Sequence, residues 1–193
     1  MNTFKTYVFN PLKIATDRHQ LTVSTLILAV SVLAGMAAGF IDDGIYHATF
    51  WATAGKLPII LTNITVVLLP SLLLYIISRL FNPKTRLVDI WNTVLFARLP
   101  VVIANTIFFL AVDQESVNKV IQNPGSFNGD MLTITVAGLA GLPFLILSII
   151  ILVNGFKTAT NAKKLIHYGV LAVAIIVCEI VYRSFFYPFL ITL

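Results

Sequence analysis

Two strongly ionic side chains interrupt otherwise apolar runs. Arg98 lies in LFARLPVVIAN (95–105), and Glu179 lies in VCEIVYRSFF (177–186) with Arg183 four residues further on. A guanidinium or carboxylate surrounded by hydrocarbon needs a counter-ion, water or a substrate, so intramembrane ionisable residues are candidate functional groups. Glu179 has three possible partners. Arg183 lies one helical turn along the same face, Arg98 lies across two helices, and a substrate would be the third. For Arg98 two accounts stand. Its guanidinium snorkels back to phosphate along its aliphatic stem, or its helix runs unbroken and carries it about 15 Å deep, within reach of a Glu179 at about 20 Å.

Other polar residues inside apolar runs have milder chemistry. Asn63, beside Thr62 and Thr65, and Asn105 either hydrogen-bond a neighbouring helix or line a polar cavity. Catalytic sets are missing from the sequence. His19, His47 and His167 fall in separate loops without an i, i+4 partner, so no metal site is expected. No G-x-S-x-G, Ser–His–Asp set, intramembrane aspartate pair or phosphate-cradling glycine loop occurs. Cys178 is the only cysteine and reads as an apolar filler. The acidic residues Asp42, Asp43, Asp113, Glu115 and Asp130 read as solvated loop charges. The expectation is a non-enzymatic protein with no cofactor.

The elements that position these groups follow from composition. Of 193 residues 58% are hydrophobic and 11% charged, far outside the range of soluble domains. A span needs about 20 mostly apolar residues. Five candidates meet that length, at about 21–41, 57–78, 94–112, 131–153 and 166–190, the third by borrowing residues before Pro100. The fold class is an all-α membrane protein, a single bundle of five transmembrane helices over residues 21–193 behind a tail of residues 1–20. Net charge is +5, but the basic residues are spread between apolar runs, which argues against nucleic acid. Ten of thirteen Lys and Arg residues fall in the tail (Lys5, Lys13, Arg18), the second connection (Arg79, Lys84, Arg86, Arg98) and the fourth (Lys157, Lys163, Lys164). By the positive-inside rule the N-terminus is cytoplasmic and the C-terminus is outside.

On a helical wheel of residues 86–98, Leu87, Ile90, Trp91, Val94, Leu95 and Leu99 share one arc. Arg86, Asp89, Asn92, Thr93 and Ala97 share the opposite one. That pattern predicts an interfacial helix anchored by Trp91 and bent at Leu99–Pro100. Gly35 and Gly39, and Ala137 and Gly141, are small residues four apart, suited to close helix packing inside the bundle or between copies.

Two further stretches, NPKTRLVDIWNTVLFARLPVVIAN (82–105) and ILVNGFKTATNAKKLIHYGVLAV (151–173), follow the opening FNPLKIA (9–15). Together they resemble the Yip domain family, named for proteins that interact with Ypt/Rab GTPases, and in particular its short bacterial branch. The resemblance implies a polytopic bundle without a recognised active site. Eukaryotic members are adaptors in vesicle traffic with a longer cytosolic N-terminal region, so Rab binding is not carried over. The bacterial branch implies an inner-membrane location. The expected function is a membrane-organising or partner-binding adaptor. Its cytoplasmic surface (Arg86, Trp91, Arg98, Lys157, Lys163, Lys164) would contact anionic lipid, a membrane-protein partner or a second copy. The alternative is a small transporter, channel or lipid-handling protein whose cavity is lined by Asn63, Asn105, Glu179 and Arg98.

Overall fold

The computed structural model describes residues 9–10, 17–51, 55–122 and 129–193. Lys5, Lys13 and residues 11–15 of the FNPLKIA opening lie outside the described residues. The elements run α1 (Asp17–Ala38), β1 (Phe40–Asp42), β2 (Ala48–Phe50), α2 (Lys56–Phe81), α3 (Leu87–Ala111), α4 (Gln114–Gln122), α5 (Gly129–Thr160) and α6 (Leu165–Val181). A π-helical turn at Tyr182–Phe186 then leads into the short α7 (Tyr187–Leu190). Five stretches are long and apolar enough to cross a membrane: α1, α2, α3, α5 and the continuous run Leu165–Leu190. The protein is therefore an all-α, multi-pass membrane protein.

α3 is the central helix, packed on α5, α1 and α2, while α6 packs on α2. The seam between α3 and α5 is antiparallel and built from small residues. Gly155 meets Thr93, the Ser148 hydroxyl donates to the Ala97 carbonyl at 2.5 Å, and Gly141 meets Ala104. Gly141, Ser148 and Gly155 recur every seven residues, the repeat of a left-handed helix pair, and their size lets the backbones approach closely. A Cβ on Gly155 would stand 2.7 Å from Thr93 Cγ2, so this crossing admits glycine alone without a shift.

Three expectations need correction. The segment 86–98 is not an interfacial helix bent at Leu99; α3 is one helix from Leu87 to Ala111 with Pro100 inside it. From Ile90 onward, residues of both arcs are buried. Ile90 and Leu95 are in the apolar core, and Asn92 and Thr93 are 1% exposed. The polar arc is occupied by other helices. Asn92 accepts from the Ser24 hydroxyl of α1 at 2.7 Å and donates to Gln20, and Thr93 returns its hydroxyl to the Asp89 carbonyl. Pro100 cannot donate to the Phe96 carbonyl, and the helix nonetheless continues through it to Ala111.

The second correction lies at the end of α5. Asn154-Gly155-Phe156-Lys157 is not the exit loop; the helix continues to Thr160 and stops at Asn161, whose φ of 54° is the left-handed conformation that ends helices. Asn154 and Thr158 use this extra length to hold the opening segment. Asn154 Nδ2 donates to the Phe9 carbonyl at 3.1 Å, and Asn10 Nδ2 donates to the Thr158 hydroxyl at 2.8 Å.

The third concerns the connection after α1. Gly39, with φ +69°, turns the chain into an antiparallel hairpin pairing Phe40 with Phe50, Ile41 with Thr49 and Asp42 with Ala48. Phe40 stacks on Phe109 of α3 with ring centroids 5.1 Å apart, and Phe50 meets the same ring edge-on at 4.6 Å. Phe40, Ile41, Asp42, Asp43 and Ile45 are all buried. Asp42 and Asp43 are thus not solvated loop charges. The hairpin folds back into the bundle, because Arg98 and Arg183 offer it counter-charges there.

Candidate functional site

The hairpin tip, Asp42 to His47, is held by side chains from two helices. Arg98, on the fourth turn of α3, forms an ion pair with the Asp42 carboxylate. Its Nη1 also donates to the Ile45 carbonyl at 3.2 Å. Both side chains of the pair are almost wholly enclosed, 4% and 2% exposed. Burial pushes the Asp42 carboxyl above the ordinary carboxylate range, and the adjacent guanidinium pulls against it. Isolated, either charge at this depth would be prohibitively desolvated; the pair makes the hairpin compatible with the bundle.

The remaining grips come from the last span. Glu179 Oε2 accepts from the Ile45 backbone N–H at 2.6 Å. The Tyr182 hydroxyl donates to the Asp42 carbonyl at 2.9 Å, and Tyr182 is fully buried. Arg183, half-exposed, reaches Asp43 at 3.2 Å. Asp43 also accepts from His47 Nδ1 at 2.6 Å, which raises the imidazole above its ordinary value. Tyr182 and Arg183 both begin the π-helical turn. Its wider winding changes the direction of successive side chains relative to an α-helix, and such turns are frequent at functional sites. A Cβ on Gly44 would overlap the Glu179 carboxylate, which would have to swing aside.

The sequence therefore identified Arg98, Glu179 and Arg183 as one neighbourhood but paired them wrongly. Arg98 meets neither phosphate nor Glu179, and Glu179 does not pair with Arg183. The hairpin stands between them and supplies the counter-charges. Asp42, Asp43, Gly44 and Tyr182 were missed. A charge count held the signal, because two arginines in the apolar runs face one glutamate, and the Asp-Asp-Gly at 42–44 supplies the missing negative charge.

Other candidates separate. Asn63 is buried in α2 and donates to the Ile59 carbonyl at 3.0 Å, with its Oδ1 unpartnered among the described residues. It is not in the hairpin's grip. Asn105 lines a cleft of about 160 Å³ with Tyr46, Ala104, Gly138 and Gly141. The enclosed space beside Arg98, bounded by Tyr46, Val66 and Pro70, is only about 10 Å³, room for about one water. Gly35 packs against Ile59 and the Phe40 carbonyl, Gly141 against Ala104, and a Cβ on Gly39 would meet nothing. Gly35 and Gly141 thus serve packing within the bundle, and Gly39 serves a turn.

At the N-terminal end of the bundle, Arg86 bridges Asp17 at 2.6 Å and Asp89 at 2.7 Å. Trp91 is half-buried against the core and is not a free anchor. Lys157, Lys163 and Lys164 are exposed, with no ion pair to any of them among the described residues.

The family model described as the Yip1 domain matches residues 8–182, which takes in the hairpin, Arg98, Glu179 and Tyr182. No curated protein and no solved structure matches the chain.

Proposed function

Since the chain belongs to the Yip1 domain family, we propose that this membrane protein is a non-enzymatic adaptor whose working surface is the lysine-bearing end of the bundle. The observation that carries this reading is the contrast between interior and edge. Arg98, Glu179, Tyr182 and Arg183 are all bonded to the protein's own hairpin. Lys157, Lys163 and Lys164, clustered where α5 turns into α6, carry exposed charge. Near an anionic bilayer each such residue contributes about 1 kcal/mol. The positive-inside rule makes this end cytoplasmic, places the hairpin on the opposite side, and suits a bacterial inner membrane. The ligand is anionic lipid or an acidic patch on a membrane-protein partner, or a second copy presenting such a patch.

The test is purification in mild detergent from native membranes, followed by native mass spectrometry. Wild type is expected to retain a stoichiometric partner or anionic lipid that the Lys157→Glu, Lys163→Glu, Lys164→Glu triple variant loses. Equal retention by both would overturn the proposal.

The runner-up is a transporter, channel or lipid-handling protein, favoured by the cleft that Asn105 and Tyr46 line. It requires that Glu179→Gln abolish flux in liposomes while the fold survives.

A further inference from the structure

We infer that α4 (Gln114–Gln122) is a surface helix that lies in the headgroup boundary of the leaflet opposite the N-terminus, with Ile121 and the adjoining edges of Val117 and Val120 in lipid. Residues 86–98, where an interfacial helix was expected, belong to a spanning helix; α4 lies at the opposite end of the bundle.

The sequence of α4 makes it amphipathic. At 100° per residue Val117, Val120 and Ile121 fall within one arc of about 100°, the width of an apolar stripe on a surface helix. The polar arc is satisfied within the helix itself. Glu115 pairs with Lys119 at 2.9 Å, and Gln114 donates to Asn118 at 3.3 Å. Val117, Val120 and Ile121 lie apart from these pairs.

Attachment fixes its height. Asp113 caps the helix by accepting from the Ser116 N–H at 2.6 Å. Only Val112 and Asp113 separate it from the end of α3 at Ala111, a reach of roughly 10 Å at most. The Ser116 hydroxyl donates to Asp130, the second residue of α5, at 3.1 Å. α4 is thus tied to the ends of two membrane-spanning helices, at the level where hydrocarbon gives way to headgroups. Val117 and Val120 are half-buried, but Ile121 is 70% exposed and no residue of α4 is buried. Near the ends of the two spans to which α4 is tied, Leu110 and Leu132 are likewise 69% and 51% exposed.

Charge selects the kind of bilayer. Asp113, Glu115, Lys119 and Asp130 sum to −2, so anionic lipid offers no attraction and a zwitterionic surface suffices. This separates the α4 end from the lysine end, and the inference does not rest on the proposed adaptor role.

The experiment places a bimane probe singly at Ile121→Cys, Val117→Cys, Asn118→Cys and Glu115→Cys in a Cys178→Ala background, reconstituted in phosphatidylcholine vesicles. Expected is a split. The probes at 117 and 121 are quenched by a shallow lipid-borne nitroxide and shielded several-fold from aqueous iodide, while those at 115 and 118 behave the opposite way. Equal iodide access at 118 and 121 would overturn the inference. So would shielding at 121 from both quenchers, which would mean protein covers the site. All four positions are exposed or half-exposed, so the variants retain the fold.

Discussion

The Arg98 guanidinium on α3 and the Asp42 carboxylate of the β-hairpin close on each other across 56 residues of chain, with neither side chain more than 4% exposed. This pair ties a segment that begins at the bundle's rim to the middle of its central helix. Removing one partner leaves an uncompensated buried charge. Arg98→Met alone should destabilise by about 3–5 kcal/mol. Adding Asp42→Asn should recover much of that loss, since no lone carboxylate remains. Unfolding of the single and double variants in detergent, read as a double-mutant cycle, measures the coupling; additive effects would mean that the pair carries none.

Gly44 and Glu179 form the second lock. Gly44→Ala forces the Glu179 carboxylate aside and costs it the Ile45 N–H. The expected loss is about 1–3 kcal/mol, the range for a lost charge-assisted bond. In a Glu179→Ala background the same change should cost distinctly less. Thermal unfolding of the four proteins checks this.

His47 should make the hairpin's outer edge pH-dependent. Its hydrogen bond to Asp43 raises the imidazole above its unfolded value of 6.5, so this contribution is fully present below that value. It disappears as pH rises through the higher folded value. Wild type should lose stability over that interval relative to His47→Gln, and the two curves should run parallel above it. The side chain is 58% exposed, so the effect should be small. Parallel curves throughout would assign the contact no role.

Gly155→Leu should fail at the α3–α5 seam, since Thr93 is already in contact there. Overpacking of this kind costs about 1–3 kcal/mol. Thr93→Ala should relieve part of it. Helix-pair stability by steric trapping in bicelles gives the measurement.

Asn154→Ala should free the opening segment, which Asn154 and Thr158 hold at Phe9 and Asn10. Faster amide exchange at Phe9 and Asn10, with the spans unchanged, is the expected signature.

The five spans were legible because a bilayer imposes length and apolarity on the chain directly. Arg98 was legible as a group that needs a partner for the same reason. The partner was not legible. Hydropathy reads Phe40 and Ile41 as the end of the first span and Asp42 to Phe50 as a loop, and a hairpin of two three-residue strands has no periodicity of its own; Phe109, Arg98 and Tyr182 hold it in place. The polar arc of α3 misled for a related reason. On a soluble helix Asn92 and Thr93 would mark the water face, but in a bundle the polar arc turns inward, toward Ser24 and Gln20. The small-residue seam was half visible. Gly141 stood out by its spacing to Ala137, whereas the seven-residue recurrence through Ser148 and Gly155 becomes meaningful only once α5 is known to run to Thr160.

The hairpin also sets an order for biosynthesis. Asp42 and Asp43 leave the ribosome well before Arg98, and Tyr182 follows Asp42 by 140 residues. The first two spans must therefore enter the bilayer with the acidic turn still waiting in water at the far surface. Only when the third span delivers its arginine can the turn sink, and only the fifth span completes the grip. A nascent chain stopped before α6 has its centre unfinished, so the grip on the hairpin closes only after Glu179, Tyr182 and Arg183 have been made.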